Sequence, residues 1–316
     1  MTEPRERLLA VRTEIAKVVM GQEEVVSALL AALLLGGHVI LEGVPGVAKT
    51  LTVKALARAL DLEFRRVQFT PDLMPSDVTG NLVYEAGTQQ FRFRPGPVFA
   101  NLLLADELNR TPPKTQAALL EAMEERQVSV EGRAEALPDP FVVIATENPI
   151  EFEGTYPLPE AELDRFLFKI AVGYPHRDAE RAVLRMHDQG LDPHDLAALG
   201  VEPVAGAADI EAGAREVADV RFTDELLDYV LALAQETRTS PALALGVSPR
   251  GAAMLVRASK ASAWLAGRAF VTPDDVKASM RPAWRHRLVL RPEVELEGAS
   301  ADSVLASVAD RVPVPG

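Results

Sequence analysis

The stretch Gly43-Val-Pro-Gly-Val-Ala-Lys-Thr50 sets two glycines, a lysine and a hydroxyl at the spacing of a phosphate-binding loop. A loop that wraps a polyphosphate must aim consecutive backbone N–H groups inward, which favours residues without Cβ, and must then present the positive end of a helix. Lys49 would supply charge for the β and γ phosphates, and Thr50 a hydroxyl for Mg²⁺. The candidate nucleotide segment is therefore Gly43, Val44, Pro45, Gly46, Val47, Ala48, Lys49, Thr50 and Leu51. Ala48 stands where the usual pattern has its last glycine. With helical φ and ψ at that position, alanine would be favoured over glycine by about 1 kcal/mol.

Five more groups could complete such a site. Leu102-Leu-Leu-Ala-Asp-Glu107 reads as a buried strand ending in two carboxylates, where α/β proteins bind ligands. Asp106 suits a water-mediated Mg²⁺ contact and Glu107 the polarising of an attacking water; the bland reading is a solvated strand end. Asn148 closes another buried strand, either to reach a γ-phosphate or to begin a turn before Pro149. Arg165 sits at the junction of a short helix and the last core strand, where the bland reading is a surface arginine paired with Asp164 or Glu162. Arg250 sits in the first turn of a helix, where a cation opposes the macrodipole, so it calls for an anion or turns back to solvent. Gln22, in a turn ahead of the loop, either borders an adenine or is an ordinary helix–helix connection.

Composition narrows the classes. With 46 acidic and 33 basic residues the net charge is −13, which argues against a broad nucleic-acid footprint. The absence of cysteine excludes disulfides, thiol catalysis and thiolate metal sites. His38, His176, His187, His194 and His286 lack metal-ligand spacing and read as surface or core histidines. The first residues are charged, without the apolar region of a signal peptide, and the apolar run Ala28–Leu35 is too short for a bilayer. The expected compartment is the cytoplasm.

The elements that must position these residues alternate between strand and helix up to Gly173-Tyr-Pro175 and are helical after it. Two domains are expected, an α/β nucleotide-binding domain over 1–175 and a helical domain over 176–316. Buried strands are expected at 38–42, 102–107, 140–148 and 166–172, and a short alternating one at 63–69. Two β-hairpins, at 81–94 and 126–137, interrupt the pattern, and residues 71–80 read as a loop. The second half predicts helices at 177–187, 210–220, 224–237, 249–266, 273–284 and 300–308. Trp264 and Trp284 fall on apolar helix faces and are expected in the core.

In order and spacing, Gly43–Thr50, Leu102–Glu107, Thr146–Asn148, Leu163–Phe166 and Ser248-Pro-Arg-Gly251 resemble an AAA+ ATPase. Ala105–Gln116, Ala145–Pro149 and Glu153–Ala161 are similar to the MoxR branch, which commonly has alanine at the position of Ala48. The resemblance implies an AAA+ P-loop core with a central parallel sheet and hairpin insertions, followed by an all-α lid. It implies Walker A at Lys49 and Thr50, Walker B at Asp106 and Glu107, and sensor 1 at Asn148. Arg250 would be sensor 2, reaching the γ-phosphate of its own subunit, and Arg165 the finger acting on the neighbour's ATP. Further implications are ATP and Mg²⁺, a homo-oligomeric ring such as a hexamer, and chaperone-like remodelling, maturation or metal insertion of protein clients. A partner with a von Willebrand factor A domain is implied as well. A slow ATP-gated switch and, less favoured, a DNA-dependent motor are the alternatives.

Overall fold

The computed structural model describes residues 3–87, 89–130, 132–149 and 154–315. Thr88 and Glu131 in the two hairpin turns, and Glu153 of the 153–161 stretch, lie outside the described residues.

Five strands form one parallel sheet: β1 (His38–Glu42), β2 (Phe64–Gln68), β3 (Leu102–Asp106), β4 (Val142–Glu147) and β5 (Phe166–Ala171). Their order across the sheet is β2-β3-β4-β1-β5, and every neighbouring pair is parallel. The runs His-Val-Ile-Leu and Leu-Leu-Leu-Ala are buried on both faces, as a sheet covered by helices on two sides requires. Val39, Leu41, Leu104 and Ile144 face one apolar cluster with the helices Glu23–Leu35 and Lys49–Ala59; Ile40, Leu103, Val143 and Ala145 face another under the helix Pro113–Glu125. Both hairpins are present, Gly80–Glu85 with Gln90–Pro95 and Gln127–Val130 with Arg133–Ala136.

After β5 the helices are Arg177–Asp188, Ala207–Asp219, Asp224–Thr239, Pro249–Leu265, Pro273–Trp284 and Ala301–Arg311, with a short one at Pro292–Leu296. Ser248 and Thr223 cap their helices by accepting the N–H of Gly251 and Leu226, and Thr272 forms a capping box with Asp275. Both tryptophans are buried, with Trp284 Nε1 donating to the Gly251 carbonyl and Trp264 Nε1 to Glu216, each at 2.8 Å.

Three local expectations change. Residues 71–80 hold a short helix, Pro75–Thr79, whose Asp77 carboxylate accepts the Met74 N–H at 2.9 Å. The second half is not purely helical, because Leu243–Leu245 pairs with Val289–Leu290 in an antiparallel ladder too short to carry a period. The helix expected from Ile210 begins at Ala207, since Asp209 accepts the Gly206 N–H and caps it earlier.

The two halves share a core: the same apolar cluster runs from Leu8 through β1 and β4 to Trp284 and Val308. Arg287, buried at 6% exposure, joins them with an ion pair to Asp164 at 2.6 Å and a hydrogen bond to the Phe166 carbonyl at 2.6 Å.

Two buried histidines set the acid limit of this core. His38 Nδ1 accepts the Val143 N–H at 2.9 Å, so Nε2 carries the proton and donates to the Met123 carbonyl at 3.2 Å. Burial, reinforced by Arg126, pushes His38 down to about 3, and burial with Arg287 holds His286 well below the usual range. Above about pH 6.5 folded and unfolded chains carry both rings neutral; below it only the unfolded chain gains protons, so stability falls toward the folded values. Urea unfolding should show a loss of about 1 kcal/mol per histidine between pH 7.5 and pH 5.5. Unchanged stability over that interval would contradict the assignment.

Candidate active site

The site lies at the carboxyl edge of the sheet. A Cβ on Gly43 would fall 2.5 Å from the Val172 carbonyl oxygen, so only glycine fits there. Gly46 has φ +88°, a conformation glycine adopts freely. Ala48, the N-cap of the helix Lys49–Ala59, has φ 61° and ψ 20°. It is left-handed rather than helical, so alanine costs about 1 kcal/mol against glycine instead of gaining it. Its carbonyl accepts both the N–H and the hydroxyl of Thr52 at 2.9 Å, which locks the turn. Val47 and Leu51 bury their side chains in the core, leaving backbone N–H groups as their only means of contacting a ligand. Val44, Ala48, Lys49 and Thr50 are half-buried, while Pro45 and Gly46 are exposed.

Lys49 Nζ donates to the Gly43 carbonyl and to the Glu147 carbonyl, the latter at 3.3 Å. Burial pulls its ammonium below the ordinary lysine value, against an opposing pull from Asp106, Glu107, Glu42 and Glu147. Each of those carboxylates has another cation. Asp106 pairs with Arg66 at 2.6 Å, Glu107 with Arg110 at 3.0 Å, and Lys169 bridges Glu42 at 2.8 Å and Glu147 at 3.1 Å.

β4 lies between the phosphate-loop strand and β3 and ties the two carboxylates together. The Thr146 hydroxyl donates to Asp106 Oδ1 at 2.5 Å and accepts the Glu107 N–H at 2.9 Å. Glu107 itself is left-handed, with φ 57° and ψ 49°, which turns the chain off the strand end. Leu41 pairs with Thr146 and Glu42 with Glu147, so Asn148 stands level with Gly43, buried at 8% exposure. The sequence marks Thr146 only as a polar strand end and gives no sign of Arg66 or Lys169, because their partners are on other strands.

Arg165 is elsewhere. It precedes Phe166, which pairs with His38 at the amino edge of the sheet, whereas Ala171 pairs with Glu42 at the carboxyl edge. Five residues of strand separate the two levels by about 16 Å, more than an arginine side chain spans. Its partner is Glu124 at 3.1 Å rather than Asp164 or Glu162, because Asp164 is taken by Arg287. Arg250 is exposed and stands close enough to Arg287 to lower the latter's pKa. A Cβ on the adjacent Gly251 would lie 2.9 Å from Arg287 Cδ, and Arg287 in turn holds the Phe166 carbonyl. Docking of the Pro273–Trp284 helix and Arg287 on the start of β5 thus sets the first turn of the Arg250 helix beside the segment that carries Arg165. Gln22 is buried and donates to the Gly173 carbonyl at 3.1 Å, while Gly21 packs against Pro175 and Ala179, where the sheet hands over to the next helix.

A phosphate loop at a helix N-terminus, with a hydroxyl and a carboxylate nearby, is a donor set suited to MgATP. Among the described residues no three His, Asp or Glu side chains converge as a metal cage. Mg²⁺ bound with a triphosphate needs only one or two protein ligands.

The model of the ATPase family associated with various cellular activities (AAA) matches residues 38–168, and that of the AAA lid domain matches 235–308. The chain is 42% identical to Chaperone MoxR1 of Mycobacterium tuberculosis, over 96% of this chain and 81% of that protein. It is 35% identical to Protein MoxR of Methylorubrum extorquens, over 100% and 97%. The chain belongs to the MoxR family of AAA+ ATPases. A crystallised candidate ATPase from Cytophaga hutchinsonii superposes on this MoxR-family chain with a TM-score of 0.90 at 38% identity, covering 99% and 96% of the two chains.

Two substitutions test the geometry of this MoxR-family site. Ala48→Gly should leave stability unchanged or raise it by up to about 1 kcal/mol, as relief of the left-handed strain outweighs added unfolded-state freedom. A loss of about 1 kcal/mol in a thermal melt, as for a helical position, would refute the geometry. Thr146→Val keeps the shape but leaves the Glu107 N–H without its acceptor and Asp106 Oδ1 without its donor, Oδ2 staying with Arg66, and should lower the urea midpoint by an amount equivalent to about 1–3 kcal/mol.

Proposed function

We propose that this chain binds MgATP at Gly43–Leu51 and hydrolyses it in a homo-oligomeric ring, coupling turnover to the remodelling or maturation of a protein client. The observation that carries this reading is the split of the candidate groups between two edges of one sheet. Lys49, Asp106, Glu107 and Asn148 gather at the carboxyl edge, while Arg165, with Arg250 on its side, stands at the amino edge. In such a ring each subunit brings half a site to its neighbour.

Lys49 would bind the β and γ phosphates, Thr50 and Asp106 would hold Mg²⁺, the latter through water, and the ion would neutralise charge on the phosphates. Glu107 would orient the attacking water once released from Arg110, and Asn148 would steady it against the γ-phosphate. Arg165 would act on the neighbour's nucleotide, and Arg250, against the cis expectation, from the same side. Gln22, buried at the handover between sheet and helices, would line the base pocket.

The name of Chaperone MoxR1 favours a client-directed role, and the family resemblance adds a partner with a von Willebrand factor A domain. A hexamer and a cytoplasmic setting, where ATP is available, complete the proposal; no described helix is long and apolar enough to cross a membrane. One observation favours a slowly cycling switch as the second reading. The Glu107 carboxylate is already engaged by Arg110, an open pair worth at most about 1 kcal/mol, so a client that draws Arg110 away should raise turnover by up to about fivefold.

Mixing Arg165→Ala with Lys49→Ala subunits tests the trans site. Each variant alone should lose at least about 10³ in rate, the scale of a missing finger, and mixed rings should recover part of the hydrolysis. No recovery in rings shown by sizing to contain both variants would exclude the trans role.

A further inference from the structure

We propose that Lys169 is a positioning residue for nucleotide binding: it occupies Glu42 and Glu147 so that Lys49 is left free for the phosphates. This rests on the reading of Gly43–Leu51 as a nucleotide site.

Glu42 and Glu147 are directly opposed on parallel neighbours β1 and β4, and each is the last residue of its strand. Glu42 precedes Gly43, whose carbonyl accepts from Lys49; Glu147 precedes Asn148 and itself offers Lys49 its backbone carbonyl. Two carboxylates in register at one edge repel each other, and both also attract Lys49. Lys169 comes from the other flank of β1, where it pairs with Ile40 in register and reaches both carboxylates.

Its side chain is 18% exposed, so the triad is closed off from most solvent and its charges are only partly screened. Burial alone would lower the Lys169 pKa, yet Glu147 and Glu42 outweigh it and hold the ammonium above the ordinary lysine range. It is thus a fixed counter-charge. Without it, two carboxylates within electrostatic reach of Lys49 lose their partner. They then compete with the phosphates for that ammonium and add repulsion against a polyanion. Arg66 and Arg110 cannot substitute, because they are committed to Asp106 and Glu107.

The experiment measures the Kd of a fluorescent ADP analogue with Mg²⁺ for the full chain and its variants. Lys169→Met should weaken binding about tenfold or more, equivalent to about 1.4 kcal/mol. Lys169→Arg should stay near wild type. Lys169→Met/Glu42→Gln and Lys169→Met/Glu147→Gln should each return to within about threefold of wild type.

Recovery of affinity on removing either carboxylate, and its retention in Lys169→Arg, are responses that a purely structural role for Lys169 would not produce. Unchanged affinity in Lys169→Met, or failure of both rescues in variants whose melting temperatures match wild type, overturns the inference. Failure of the wild-type chain to bind the analogue overturns the nucleotide reading itself, so the two failures are distinguishable.

Discussion

For the proposed phosphate contact, Lys49 must remain charged and without a carboxylate partner in a half-buried site that feels four carboxylates. A unit-charge pair about 4 Å apart is worth about 4 kcal/mol at the dielectric of a protein surface. An ion pair with any of the four would therefore rival the attraction of a phosphate. The fold avoids this by assigning the competitors elsewhere, to Arg66 from β2, Arg110 from the turn after β3 and Lys169 from β5. Lys49 is left with carbonyl oxygens, which hold it in place without neutralising it. Strand order matters for this reason. β2 and β5 flank the strands that carry the carboxylates, so an edge strand on either side delivers a cation inward.

The same sheet imposes a second constraint, because it is stiff and its two edges are about 16 Å apart. Residues before β5 cannot approach residues after β1 in one subunit without breaking the ladder that pairs Phe166 with His38 and Ala171 with Glu42. Arg287 extends the constraint to the helical half. It is buried, satisfied by Asp164 and by backbone carbonyls at the start of β5, and it lies against the first turn of the helix that carries Arg250. Removing one partner of such a buried pair typically costs 3–5 kcal/mol, so this dock holds the start of that helix against the start of β5.

Much of this was legible in the sequence, and the reasons are local. Unbroken apolar runs identified the strands of a sheet covered on both faces, and a glycine-rich turn followed by Lys-Thr located the loop. Ser248-Pro249 and Thr272-Pro273 identified helix starts because capping acts within four residues. What could not be read were contacts between residues far apart in the chain. Arg66 and Asp106 are 40 residues apart, and Arg287 and Asp164 are 123 apart. A charge within a strand gives no sign of which neighbour it will meet until strand order is known. The helix start at Ser248 was plain, but where that helix sits depends on a dock made by a later segment. Ala48 failed for a subtler reason, since composition cannot tell whether the last turn residue has already become helical.

Two of the left-handed residues, Ala48 and Glu107, stand where the chain leaves the sheet on either side of β4. Each carries strain on the order of 1 kcal/mol, and at Glu107 the Thr146 hydroxyl offsets it by accepting the N–H while donating to Asp106. Strand alternation puts Asn148 on the same side of β4's path as Thr146. Backbone at three positions is therefore fixed by a single strand. The Glu107 carboxylate is not: its partner Arg110 is about two-fifths exposed, and a pair so open contributes at most about 1 kcal/mol. A stiff main chain with a weakly held side chain suits the water-orienting role proposed for Glu107, because the carboxylate can exchange Arg110 for a water without moving Asp106 or Asn148.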